Sequence, residues 1–216
     1  FRSRIGGKTR WLPSAATAFY PHYRVGETRG DVPRTMADGV IVHDHFKPYY
    51  ALPGAQHALC NAHHLRELQA LIEIEKEPWA GVMHELLRAA NKRVREVKAG
   101  GAVALAEPDS HRISAAYDAA LAMGFALHEG QAPLVRTPGA RGRPPRRTGH
   151  NLLLRLRHCK VDALRFTEDL DVPVPNNQAE QDLPRKKVKM KHPGGLRKLG
   201  GHENFAATGS VIHAHR

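Results

Sequence analysis

Pro175-Asn176-Asn177-Gln178-Ala179-Glu180 stands between an apolar-acidic run over 164–174 and a lysine ladder over 184–191. Asn177 reads as a helix N-cap, and Glu180 follows at the three-residue spacing of a capping box. By itself that pairing signals a helix start. A second carboxylate gives it chemical interest: Asp44 closes Val40-Ile41-Val42-His43, a β-branched apolar run that reads as a short buried strand. One carboxylate at a strand end and another on a helix near the carboxyl terminus are what metal-assisted phosphoryl transfer requires. That chemistry places carboxylates around two divalent ions roughly 3.5–4 Å apart. Magnesium suits it, taking oxygen ligands while leaving positions for substrate phosphates. A third carboxylate is usual in such sites; Asp31 and Asp38 are candidates by residue type, but both stand in a polar loop stretch.

Outward from these two carboxylates, the amino-terminal 25 residues read as β-structure. Ile5-Gly6-Gly7-Lys8 is a hairpin signal, and Trp11-Leu12 and Phe19–Val25 read as following strands weakened by Pro13 and Pro21. His57–Cys60 reads as another short strand. A helix capped by Asn61 is expected to reach about Glu75 and to stop at Pro78. A second amphipathic helix spans Trp79 to Val97 and ends at Gly100-Gly101. A third runs from about Pro108 to Met123, with Ile113, Tyr117, Ala120 and Leu121 facing inward. One more helix is expected from Leu152 to about Phe166, and a packing helix over Asn204–Ile212.

The 216 residues carry 33 Lys and Arg against 21 Asp and Glu, a net charge of +12. A surplus of this size favours a polyanionic partner, most often nucleic acid. No apolar run approaches the roughly 18 residues of a membrane span. Two cysteines, Cys60 and Cys159, make no disulfide framework, and a reducing cytoplasm is the default expectation. Arg136 to Lys160 holds eight of the cations and no acid. Within it Arg141, Arg143, Arg146 and Arg147 are interleaved with Pro and Gly, as in an arm that lies along a phosphate backbone and releases counterions. Arg185, Lys186, Lys187, Lys189 and Lys191 would add cations just downstream of Glu180.

Cys60-x-x-His63-His64 has a spacing that can bind zinc, but no second matching pair completes a site. The expected role is instead a core cysteine followed by a helix-start histidine that positions a phosphate or carboxylate.

Five blocks in order through the chain resemble one family. They are V-I-V-H-D-H-F-K-P-Y-Y from Val40, H-A-L-C-N-A-H-H-L-R-E-L from His57, G-H-N-L-L-L-R-L from Gly149, V-P-V-P-N-N-Q-A-E-Q-D-L from Val172 and K-V-K-M-K-H-P-G-G-L-R from Lys187. Together they are similar to the insertion-sequence transposases of class sixty-six, DDE-type enzymes on a ribonuclease-H-like core.

The resemblance implies an α/β fold: a mixed sheet flanked by helices, with core halves at 1–66 and 149–216 and a helical insertion at 67–148. It implies Asp44 as the second catalytic Asp and Glu180 as the catalytic Glu, both holding Mg2+, with Mn2+ as a substitute. Cys60, His63, His64, Arg66, Asn176 and Asn177 would support them. The reaction would be cleavage at a transposon end followed by attack of the 3′-OH on target DNA. Transposon-end and target DNA, a homo-oligomer in a synaptic complex, and a cytoplasmic, nucleoid-associated location follow as expectations.

Against the family pattern the chain starts at Phe1, where a D-E-T-G motif carrying the first catalytic Asp would just have ended. Pro184 stands where the family has Arg, and it offers no N–H to the carbonyl of Glu180 four residues back. The expectation is therefore a fragment or decayed copy, inactive alone. The rival expectations are a DNA-binding remnant without catalysis and, more weakly, a nuclease acting on hybrids.

Overall fold

The computed structural model describes residues 39–173, apart from 137, 138, 140 and 143, together with four short strands nearer the amino terminus. Strand β1 (Arg2–Ile5) pairs antiparallel with β2 (Lys8–Trp11), Ile5 opposite Lys8, which is the register the predicted hairpin requires. Strand β3 (Ser14–Ala16) pairs antiparallel with β4 (Pro21–Tyr23). The strand expected over Phe19–Val25 is described only at Pro21–Tyr23, and the Ser-Ala-Ala of β3 carries little β propensity to announce it.

The chain divides into two compact units. Strands β1–β4 lie in one, which also takes in Phe46–Ala55; Val40–His45 with Gln56–Pro175 make the other. Within Phe46–Ala55, residues Lys47–Ala51 form a 3-10 turn, and the rings of Phe46 and Tyr49 meet edge-to-face at 5.9 Å.

Strands β5 (Gly39–His43) and β6 (Ala55–Leu59) form a small parallel pair. The amide of Cys60 donates to the His43 carbonyl at 2.9 Å, so the carboxyl ends of both strands lie side by side. The expectation of a buried strand at Val40–His43 is corrected: Val40 to Val42 are half-buried and only His43 is buried. A two-stranded pair covers less of each strand than the centre of a wide sheet does.

Helix α1 (Asn61–Ala70) runs into a π turn at Leu71–Glu75, which Lys76 ends in the left-handed region at φ 56°. The expected stop, Pro78, instead opens helix α2 (Pro78–Ala99) from its first helical position, where a missing N–H costs nothing. Trp79, Met83, Leu87, Ala90 and Val94 form its buried stripe, and Gly100 caps its end. Helix α3 (Glu107–Glu129) continues past the expected end at Met123. Gly124 does not break it but lets it approach its neighbours: a Cβ there would meet Leu153 Cδ2 at 2.5 Å and Trp79 Cδ2 at 2.9 Å. Of the inward residues expected on α3, Tyr117, Ala120 and Leu121 are buried and Ile113 is half-buried.

The single helix expected over Leu152–Phe166 is two, α4 (Thr148–His158) and α5 (Lys160–Glu168). The break falls at buried Cys159, at φ −107° and ψ 29°, with no proline or glycine to mark it. It frees α5 to point elsewhere: the Ala163 carbonyl accepts from Asn61 Nδ2 at 2.8 Å, and Arg165 Nε donates to the His57 carbonyl at 2.7 Å. The core of this unit is Leu68, Trp79, Met83, Leu87, Tyr117, Leu153 and Leu156, all essentially inaccessible. Burying each aliphatic or Met side chain contributes about 1.5–3 kcal/mol. The Tyr117 hydroxyl keeps its hydrogen bond by donating to the Leu156 carbonyl at 3.0 Å.

Candidate active site at the end of β5

Asp44 is the first residue beyond β5, and it is exposed. The backbone turns sharply there, because His45 adopts a positive φ of 66°. Histidine is among the few non-glycine residues that enter this region at all readily. The turn is bridged by a side chain: the His45 amide donates to His43 Nδ1 at 3.1 Å. The other nitrogen of that ring, Nε2, lies 3.3 Å from Nδ1 of His57 on β6, and the two rings meet edge-to-face at 5.3 Å.

Beside the two strand ends begins α1. Asn61 is its first residue, not its cap; the position before it belongs to Cys60, whose side chain makes no capping bond. The Asn61 side chain is committed elsewhere, to Ala163 through Nδ2 and to His64 Nδ1 through Oδ1 at 3.0 Å. Cys60 is buried, His63 is half-buried, and Arg66 is exposed, its Nε donating to the Ala62 carbonyl at 3.2 Å. Among the described residues no group of three or more His, Cys, Asp or Glu is placed to hold a metal ion.

Burial dominates the electrostatics. It pushes the His64 imidazole down to about 3, helped by the Arg155 charge, and the His43 imidazole down to about 4, helped by His57. His45 is lowered too, by burial first and then by Arg155 and His158. Helix α4 thus brings positive charge to the neighbourhood of Asp44. The sequence gives no warning of Arg155 and His158 there, since the break at Cys159 decides where α4 ends.

The two depressed imidazoles make stability pH-dependent with a definite sign. In the unfolded chain each takes a proton near 6.5, whereas in the fold His64 and His43 do so only near 3 and 4. Between these values the unfolded state binds more protons, so stability is complete above about pH 6.5 and is lost as pH falls toward 4. Urea unfolding should show a lower midpoint at pH 5 than at pH 7.5, with the difference reduced in His64→Gln. Equal wild-type midpoints would contradict this.

The basic stretch divides by use. Arg141 and Arg146 are exposed. Arg147 is half-buried, and its guanidinium donates to the Ala132 carbonyl at 3.0 Å, closing the base of the connection between α3 and α4. Further on, Arg155 pairs with Glu67, Lys160 with Asp118 at 2.7 Å, and Arg157 lies 4.4 Å over the Phe125 ring. Four of the eight cations in this segment are therefore engaged within the fold. Glu180, Asn176, Asn177, Arg143, Asp31, Asp38, the lysine ladder from Arg185 to Lys191 and the helix expected over Asn204–Ile212 all lie outside the described residues.

As a ligand for a magnesium-type ion Asp44 fits: it is an exposed, hard oxygen donor just beyond the strand end. Its expected partner carboxylates are outside the described residues.

The geometry is that of an α/β protein, mostly helical, with a carboxylate at the carboxyl end of a parallel strand pair. The family model described as "Transposase IS66 family" matches residues 7–204, and the chain belongs to that family. Its role is accordingly in transposition, DNA is its partner, and by family it is a DNA-processing enzyme. No curated protein and no solved structure matches the chain. No helix among the described residues is long and apolar enough to cross a membrane.

Proposed function

We propose that this chain is the catalytic core of a DDE-type transposase, cleaving DNA at a transposon end and joining the 3′-OH to target DNA. What carries the reading is Asp44: the family's block from Val40 puts the carboxylate just past β5, exposed and flanked by pinned residues. Asp44 and Glu180 would hold Mg2+, which supplies activation of the attacking oxygen and stabilisation of the leaving one. A ribonuclease-H-like sheet, in halves 1–66 and 149–216 around an insertion at 67–148, is part of the same proposal, as is pairing of chains in a synaptic complex. The deciding experiment incubates the purified chain with duplexes bearing its element's ends and Mg2+. End-specific cleavage supports the reading.

DNA binding without catalysis is the second reading, and Pro184 favours it, since in the helix expected from the sequence to carry Glu180 a proline would offer no N–H to the Glu180 carbonyl. Binding without cleavage in that assay, with or without Mg2+, would select it.

Both readings use the exposed arginines of the arm. Arg141→Ala and Arg146→Ala should each weaken binding about equally on end and unrelated duplexes. Each should also lower the slope of log K against log salt by about 1. Fluorescence anisotropy over a salt series measures this, and an unchanged slope would remove the arm from the interface.

A further inference from the structure

We infer that His43 is a positioning residue for Asp44: its imidazole locks the backbone turn that presents the carboxylate. The inference rests on the catalytic reading of Asp44 and adds a role for a residue that reading does not use.

The hydrogen bonds run in one direction. A backbone amide can only donate, so His43 Nδ1 must accept from the His45 N–H, 3.1 Å away. A neutral imidazole has one acceptor and one donor nitrogen, so the ring proton of His43 sits on Nε2. Nε2 then donates to His57 Nδ1 at 3.3 Å. The main chain of the same residue is held as well, its carbonyl accepting from the Cys60 amide at 2.9 Å. His43 is thus fixed to β6 by its ring, to the start of α1 by its carbonyl, and to residue 45 across the turn.

Asp44 lies between the two bonded residues of this turn. Its Cα–Cβ direction is set by them while its side chain is exposed. His45 is held at φ 66°, a conformation that needs outside support, and the bond to His43 supplies it. Sites that bind metal gain from a carboxylate fixed in direction by its supporting partners, and losing such a partner typically costs 10–100-fold in metal affinity.

The test separates placement from catalysis. In the wild-type protein, 15N imidazole spectra should show His43 protonated at Nε2 and bare at Nδ1; a proton on Nδ1 overturns the inference. His43→Ala should shift the backbone amide signals of Asp44 and His45 and weaken Mn2+ binding, read by electron paramagnetic resonance, by about 10-fold or more. His43→Asn offers an oxygen that can accept from the amide two residues on, as in an Asx turn, and should recover most of both effects. Thermal unfolding of the two variants should be similar, so that rescue is not mere refolding. An Ala variant with wild-type amide signals and Mn2+ affinity, or an Asn variant no better than Ala, overturns the inference. Asp44→Asn run alongside distinguishes the two layers. If it leaves Mn2+ binding and cleavage unchanged, the catalytic reading fails, and the amide shifts alone then decide whether His43 sets the turn.

Discussion

Asp44→Asn is expected to lower the rate of transposon-end cleavage about 1,000-fold while leaving DNA affinity within a few-fold of wild type. The substitution is nearly isosteric and the residue is exposed, so it opens no cavity and buries no new polar group. What it removes is a negative oxygen ligand. Metal-assisted charge stabilisation is worth several kcal/mol in the transition state, and about 4 kcal/mol corresponds to about 1,000-fold in rate. Binding should behave differently, because phosphate contacts depend on cations such as Arg141 and Arg146. Losing an anion near the Arg155 charge would tighten it. Single-turnover cleavage and anisotropy on the same duplex measure the two effects. Glu180→Gln should give the same split. A variant that cleaves within tenfold of wild type would show that Asp44 holds no essential metal.

Local signals gave the element types. The apolar β-branched run at Val40–His43, the Gly-Gly at the first hairpin, and the apolar stripe from Trp79 to Val94 are all short-range patterns, and the elements stand where those patterns put them. Errors arose where a tertiary contact overrode the local signal. Asn61 looks like a cap, but its amide is spent on Ala163, 102 residues away. The helix expected to end at Met123 runs on through Gly124, the close-approach point of α3 on Leu153 and Trp79. Cys159 carries no breaker signature, yet the chain bends there so that α5 can reach Asn61 and His57.

The candidate site divides in the same way. Asp44 was legible because a carboxylate directly after an apolar β-branched run is a local pattern. The bonds from His43 to His45 and His57 were not, although H-D-H around Asp44 was in plain view. Which nitrogen of which ring faces which partner depends on the pairing of β5 with β6, and on the turn between two residues that a sequence reader counts only as histidines.

Glu77→Ala is the second large effect expected, and it falls on stability rather than chemistry: a loss of about 1–3 kcal/mol. Glu77 is buried directly before α2, and its Oε2 accepts from Trp79 Nε1 and lies 3.3 Å from His128 Nε2 near the end of α3. The same carboxylate fills the space that a side chain at Gly149, on the first turn of α4, would need. One acidic group therefore joins three helices, at both ends of the connection that carries Arg141 and Arg146. Truncating it leaves the Trp79 indole N–H buried without its acceptor and removes the carboxylate beside the His128 ring, and a desolvated donor of this kind is costly to strand. Replacing Glu77 and His128 together removes the imidazole left facing the vacated site, while the Trp79 N–H stays without its acceptor. Glu77→Leu with His128→Leu should be more stable than Glu77→Leu alone, because a hydrophobic pair of similar volume can stand in for a buried polar pair. Urea unfolding of the four proteins gives the coupling as a double-mutant cycle. Additive losses would mean that Glu77 and His128 are held in place independently. A Glu77→Ala loss below about 1 kcal/mol would mean that water or a neighbouring group satisfies this donor. Gly149→Ala should be destabilising in the wild-type background and milder in Glu77→Ala, since the carboxylate it collides with is then gone.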